Sequence, residues 1–231
     1  MSKVVRALAL CILVSPPLAA QVGHDPERSP YQPILLRTSL SATGHYLSGS
    51  SGKLGVGPSK GPGVGLRYEM RLTGPTDVFA SVGWSALERM VVDTAAAVEQ
   101  RISGPVNQSV LFGEAGILIL LGGDKTWNRL APYVGANLGI AFGASVPEDS
   151  SGYAFKSKFV SGPLVGLRIY AAGSVFLRVE GRLQFWRLKY PTSYFTGPVD
   201  GDPVLNPLED SDSEWTTHPT LLVGLGYAFR F

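Results

Sequence analysis

The 231-residue sequence contains a single cysteine, Cys11. It falls in an apolar N-terminal stretch that reads as a removable leader, so the mature chain has no disulfide, no thiolate metal site and no cysteine nucleophile. Histidine is also scarce: His24, His45 and His218 are the only three, which leaves little for acid–base catalysis or metal ligation. Charged side chains make up 16% of the chain and the net charge is +2. The first value is low for a water-facing surface, and the second gives no field to attract nucleic acid. No apolar run reaches the roughly 18 residues of a spanning helix. A chain of this kind can cross a membrane only as a closed β-barrel, because no other strand arrangement satisfies every backbone group in lipid.

The leader is assigned to residues 1–20. Lys3 and Arg6 supply the positive charge, residues 7–14 the apolar core, and Ala19-Ala20 the cleavage site before Gln21. Leu10 is too bulky to precede a lipidated Cys11. Residues 21–33 are polar and proline-bearing, and are read as a periplasmic lead-in. Residues 34–231 are read as one barrel domain.

From there the dominant period is two, the signature of strands. Eight segments show it: 35–46, 63–73, 77–88, 108–121, 130–142, 156–170, 174–188 and 214–231. The second is the clearest. Val64, Leu66, Tyr68, Met70 and Leu72 alternate with Gly65, Arg67, Glu69 and Arg71. Short connections (74–76, 122–129, 171–173) alternate with long ones (48–62, 89–107, 143–155, 189–213), as in outer-membrane barrels. A short helix is expected within 90–101.

The two faces of these strands decide between a soluble and a transmembrane barrel. A lipocalin-like barrel, the soluble alternative, points its apolar face inward. Here the polar face is crowded with Gly, Ala and Ser, which suit a narrow bore. The apolar face is nearly free of charge over about 9–11 residues per strand, enough to cross the hydrocarbon layer when tilted. Tyr46, Trp84, Tyr170, Trp186, Trp215, Phe229 and Phe231 lie towards strand ends and are read as interfacial girdles. The expected fold is therefore all-β: an eight-stranded antiparallel up-and-down transmembrane barrel.

Two strands carry the same device. Arg67-x-Glu69-x-Arg71 and Arg178-x-Glu180-x-Arg182 each place three charges on one face. With Glu114, Arg168 and Arg230 from other strands they are expected to form an ionic network in the lumen. Counting Arg37 too, inward arginines outnumber inward glutamates, so an open bore would prefer anions.

The C-terminal residues Gly226, Tyr227, Phe229 and Phe231 match the terminal assembly signal of bacterial outer-membrane proteins. With the strand pattern of 34–231, the chain resembles the small outer-membrane barrels of the OmpA/OmpX type. The resemblance implies an outer-membrane location, lipid and lipopolysaccharide as surroundings, and recognition of the last strand by the barrel assembly machinery. It also implies four external loops available to an extracellular partner. A monomer is expected, with no cofactor and no metal.

Catalysis is not expected. His45 and His218, on the first and last strands, are expected to approach near the outer rim beside Ser48, Ser50 and Thr216, but no motif makes any of these a nucleophile. The acidic final loop (Asp200, Asp202, Glu209, Asp210, Asp212, Glu214) matches no calcium-loop spacing and reads as solvated surface. Residues 52–65 are glycine-rich but lack the spacing of a phosphate loop. The functional expectation is a structural or surface-interaction barrel with a charge-plugged lumen. The alternative is a small channel, weakly anion-preferring or for hydrophobic solutes.

Overall fold

The computed structural model describes residues 29–94, 96–147, 149, 151–196 and 203–230. The leader expected at 1–20 and Phe231 lie outside them, and residues from Tyr31 onward belong to one unit. Eight long strands are present: β2 (Thr38–Leu47), β3 (Gly61–Thr73), β4 (Thr76–Val92), β5 (Ile102–Leu120), β7 (Leu130–Gly143), β8 (Ser157–Ala172), β9 (Val175–Lys189) and β10 (Ser213–Phe229). Each pairs antiparallel with the next, and the ring closes where β10 pairs with β2 from Phe229↔Thr38 to Thr220↔Leu47. Two three-residue strands, β1 (Tyr31–Pro33) and β6 (Lys125–Trp127), pair with each other at one end.

That end carries the short connections. β3 and β4 join through Gly74-Pro75, and β8 and β9 through Gly173-Ser174, each a two-residue turn. Both turns open on a glycine at positive φ (48° and 47°), which tight hairpins require and other residues resist. The opposite end carries the four long loops. By the layout of outer-membrane barrels the short-turn end is periplasmic.

The apolar face points outward. Leu66, Val82, Leu138, Val165, Val223 and Leu225 are among the most exposed side chains; Leu225 is 61% exposed. Their strand neighbours Arg67, Phe79, Arg178, Glu180 and Leu222 are buried. Such a barrel is inside-out relative to a soluble one and is stable only where lipid covers the belt. The soluble lipocalin-like arrangement is thereby excluded.

Inward aromatics sit over inward glycines on the neighbouring strand. Phe79 is in register with Gly116, Tyr133 with Gly166 and Phe176 with Gly226. A Cβ at any of these glycines would come within 2.5 Å of the facing ring. The glycines therefore make the space that large rings need inside a narrow barrel.

Three local expectations are corrected. Trp186 and Tyr170 are not interfacial girdle residues: Trp186 is fully buried in the lumen, because β9 buries its even-numbered residues throughout and 186 falls on that face, and Tyr170 packs on the inward Phe176. Residues 90–101 do not form a helix beyond a single 3-10 turn at Val98–Gln100. Val91 and Val92 instead prolong β4, pairing with Ser103 and Ile102, as β-branched residues favour. Residues 35–37 are not in the first barrel strand, which starts at Thr38. The chain leaves β1 beside the β5–β7 connection and enters the wall at β2, four strands round the ring. It thus crosses the periplasmic mouth as a strap.

Candidate functional site

The lumen is stacked in layers. At the periplasmic end an apolar floor is formed by Phe79, Leu118, Leu120, Ala131, Tyr133 and Leu164. Ile34 of the strap packs against it, and its N–H donates to the Asp124 carbonyl at 2.8 Å. Leu118 and Leu120 reach this floor because β5 buries their register here, although their neighbours Ile117 and Ile119 face lipid.

The ionic layer rests on this floor. Glu69 receives Arg178 through both terminal nitrogens, Nη1 at 2.6 Å and Nη2 at 2.5 Å. Arg67 Nε at 2.9 Å and Arg168 Nη2 at 3.1 Å complete three arginines on one carboxylate. Glu180 receives Arg67 Nη1 at 3.0 and 2.8 Å, Arg182 Nε at 2.5 Å and the Tyr133 hydroxyl at 2.7 Å. Glu114 receives Arg182 Nη1 at 2.6 Å, Gln184 Nε2 at 2.6 Å and Asn137 Nδ2 at 2.7 Å. Asp77 joins Arg71 Nε at 2.9 Å to Arg168 Nη2 at 2.8 Å. The chain Arg71–Asp77–Arg168–Glu69–Arg67–Glu180–Arg182–Glu114 is therefore unbroken, with Arg178 attached at Glu69. The Arg67 guanidinium also lies 3.5 Å from the centroid of the Phe79 ring, a cation–π contact that binds the ionic layer to its floor.

Above the ions lie polar groups. His45 Nε2 is 2.7 Å from Ser85 Oγ, and His218 Nε2 is 2.8 Å from Thr216 Oγ1. The His218 ring stacks on Trp186 at 3.5 Å between centroids. A void of about 30 Å³, room for roughly one water, is lined by His45, Arg67, Phe112, Glu114, Arg182 and Gln184 among others. Over it sits a second apolar layer, including Leu47, Leu87, Val110, Phe155, Trp186 and Leu188. The external loops then close the mouth around Val56, Tyr153, Tyr190, Tyr194 and Leu205, which form a cluster of their own. Beneath this cap Arg89 and Asp149 make a buried ion pair at 2.7 Å.

Of the residues singled out from sequence, Arg67, Glu69, Glu114, Arg168, Arg178, Glu180 and Arg182 meet directly, and Arg71 joins through Asp77. Arg230 does not join: it lies beyond the last pair of β10 and is exposed at the mouth, as is Arg37. With those two outside, the buried layer holds five arginines against four carboxylates, so the large arginine excess expected from sequence is absent. Asp77 was legible as an inward position, since it precedes Phe79 by two residues. The upper apolar layer carried no such signal, because its leucines look like lipid-facing residues until the register is known.

The two histidines do not meet a common nucleophile. Ser48 and Ser50 take no part, and each ring is bonded to a separate hydroxyl inside the closed lumen. The acidic loop is engaged otherwise: Asp210 pairs with Lys53, and Glu214 accepts the Lys53 N–H at 2.7 Å and the Tyr190 hydroxyl. Asp200 and Asp202 lie outside the described residues. Among the described residues no cluster of His, Cys, Asp and Glu suits a metal ion.

No protein-family model and no curated protein matches the chain. Solved structures do. Neisserial surface protein A superposes with a TM-score of 0.52 at 13% identity, covering 83% of this chain and 97% of that one. OprG of Pseudomonas aeruginosa gives 0.49 at 11% identity over 85% and 97%, and the N-terminal barrel of OprF from the same organism 0.45 at 15% over 83% and 97%. The ring of eight strands, its lipid-facing exterior and the first of these similarities agree: the chain has the fold of the small eight-stranded bacterial outer-membrane β-barrels.

Proposed function

We propose that this protein is a sealed outer-membrane barrel of structural and surface-interaction type, not a channel and not an enzyme. The observation that carries the reading is the filling of the lumen. An unbroken arginine–carboxylate chain lies between two apolar layers, and the void above it holds about one water. Ion conduction needs a continuous wet path, and selectivity needs binding groups that ions can reach and leave. Here every charge of the layer is already paired with at least one of opposite sign. The histidine–hydroxyl pairs are enclosed with them, so no substrate reaches a base.

The loops supply the surface for an extracellular partner. They present a folded cap, held by the Lys53–Asp210 pair and the Tyr190 and Tyr194 cluster. The outer rim suits lipopolysaccharide. On β9, Leu183, Arg187 and Lys189 are exposed while Gln184, Trp186 and Leu188 are buried, so two cations stand on the outer face directly above the apolar belt. Trp215, 63% exposed, is in register with Arg187. Cations over an aromatic at the belt's edge match the phosphates of outer-leaflet lipid. Insertion is assigned to the barrel assembly machinery through β10, whose Gly226, Tyr227 and Phe229 end the described wall, and the protein acts as a monomer.

Planar-bilayer recording of the refolded protein tests the reading. No steady conductance above the lipid background is expected. Stable single-channel steps from the wild-type barrel would overturn it, and anion-selective steps would favour the channel alternative.

A further inference from the structure

We infer that the periplasmic mouth of the barrel is a binding site for a phosphate-bearing anionic lipid headgroup, held by Arg37, Arg71 and Arg230. The three arginines occupy one cross-strand row. Thr38 is paired with Phe229 on one side and with Met70 on the other. One residue further towards the periplasm, Arg37 therefore lies between Arg230 and Arg71, and the Arg71 N–H donates to the Arg37 carbonyl at 2.8 Å. Like charges directly opposite on neighbouring strands repel. Three in a row, Arg71 on β3 and the other two one residue past the ends of β2 and β10, are a structural cost that an anion removes.

The row borders a cavity of about 710 Å³ between the strap and the feet of β2 and β3. All three arginines line it. Arg71 forms the inner wall with a side chain only 6% exposed; its Nε is on Asp77, and its Nη1 has no hydrogen-bond partner. Arg37 and Arg230 meet no ion pair or side-chain hydrogen bond among the described residues, whereas every arginine of the buried layer has one or more. Asp124, from the connection opposite, is the one carboxylate in the cavity lining among the described residues. Among the described residues the site therefore holds three arginines against Asp124 and the Asp77 carboxylate that Arg71 shares with Arg168. Guanidinium forks match phosphate oxygens in geometry as well as charge.

The cavity's outer edge favours a lipid over free phosphate as the source of that group. Leu35, Met70 and Leu72 line it and are exposed side chains. Met70 and Leu72 continue the lipid-facing column of β3 that runs through Tyr68, Leu66 and Val64. A headgroup on the arginines would leave its acyl chains along this column, within the periplasmic leaflet. The inference uses only the orientation of the barrel and stands whether or not the lumen conducts.

The test uses the mature barrel, refolded and presented with lipid, as wild type and as the Arg37→Gln/Arg230→Gln double variant. Both residues are exposed and lie outside the buried network, so the variant is expected to fold; heat-modifiable gel mobility checks this. Native mass spectrometry then counts retained phosphatidylglycerol, with phosphatidylcholine and inorganic phosphate as separate probes. The expected result is retention of phosphatidylglycerol by wild type at about tenfold or greater preference over phosphatidylcholine, lost in the folded variant. Equal retention by the folded variant would overturn the site. Tight binding of inorganic phosphate without a phosphatidylglycerol preference would overturn the lipid as its source.

Discussion

Arg67 reaches across the lumen to Glu180 at 2.8 Å while Arg178 reaches back to Glu69 at 2.5 Å, so the two Arg-x-Glu-x-Arg triplets of β3 and β9 exchange partners. The exchange ties together strands separated in the ring by β2 and β10, the pair that closes the barrel. Each triplet carries one net positive charge, and the outer arginines Arg71 and Arg182 find their further carboxylates in Asp77 and Glu114.

The exchange predicts which single substitution harms most. Glu69→Ala strands Arg178, Arg67 and Arg168 without their shared carboxylate in a site that excludes water. Breaking a buried ion pair from one side costs about 3–5 kcal/mol. Urea unfolding in lipid vesicles is expected to show a loss of this size. Glu209→Ala, in the last loop, is expected to change stability by less than about 0.5 kcal/mol.

Trp186→Ala tests the upper seal. Trp186 is fully buried, stacks on His218 and meets Phe155 edge-on with centroids 6.0 Å apart. Truncation of a buried aromatic of this kind costs about 3–5 kcal/mol. The barrel is expected to unfold at lower urea yet remain non-conducting, because the ionic layer below is untouched. Conductance appearing in Trp186→Ala would show that the upper apolar layer, and not the ions, closes the bore.

Much of this architecture is legible in the sequence, and the reason is the period of two. Val64 to Leu72 alternates so cleanly that lipid and lumen faces follow from residue type alone, and the triplets fall inward because a midplane charge cannot face lipid. The pattern fails where both faces are apolar. Leu118 and Trp186 are inward yet chemically indistinguishable from belt residues, and only the register separates them. It fails again at strand ends: Arg37 and Arg230 share the inward parity of the buried arginines, but the wall stops before it encloses them. The strap was hidden because Ile34 opens a short run, Ile34-Leu35-Leu36, that shows no period to separate strap from strand.

The loop cap carries a pH dependence. The Lys53 ammonium, with the Asn206 N–H, holds the Asp210 carboxyl below its ordinary value. A depressed carboxyl stabilises the folded loops above the ordinary aspartate value of about 3.9, and that contribution is lost as pH falls through the lowered one. In an NMR titration of the refolded barrel, the Asn206 amide, which donates to the Asp210 carboxylate at 2.9 Å, is expected to stay constant from neutral pH to about 4 and to shift below it. Asp210→Asn should abolish the shift. A midpoint above the ordinary aspartate value would contradict the pairing.

Arg187 and Lys189 give the outer rim a measurable preference. Replacing both with Gln leaves the buried face of β9 unchanged, since the two side chains are exposed. Stability is therefore expected to stay within about 0.5 kcal/mol. Binding to lipopolysaccharide-containing vesicles is expected to weaken, and the salt dependence of wild-type binding to flatten, because screened charges were its source. An unchanged affinity with an unchanged salt slope would place the contact elsewhere.

The outward placement of the belt can be tested at one position. Leu225 is 61% exposed, near the middle of the β10–β2 pairing, between the inward Gly224 and Gly226. If lipid surrounds it, Leu225→Arg places a guanidinium in the hydrocarbon layer at a cost of about 2–4 kcal/mol. If water surrounds it, the same change removes an exposed apolar group and costs little. Leu208, 93% exposed in the last loop, provides the internal comparison. Leu225→Arg is expected to lower stability in lipid vesicles by the larger amount and Leu208→Arg by less than about 0.5 kcal/mol. Equal effects at the two positions would mean that β10 does not face hydrocarbon there.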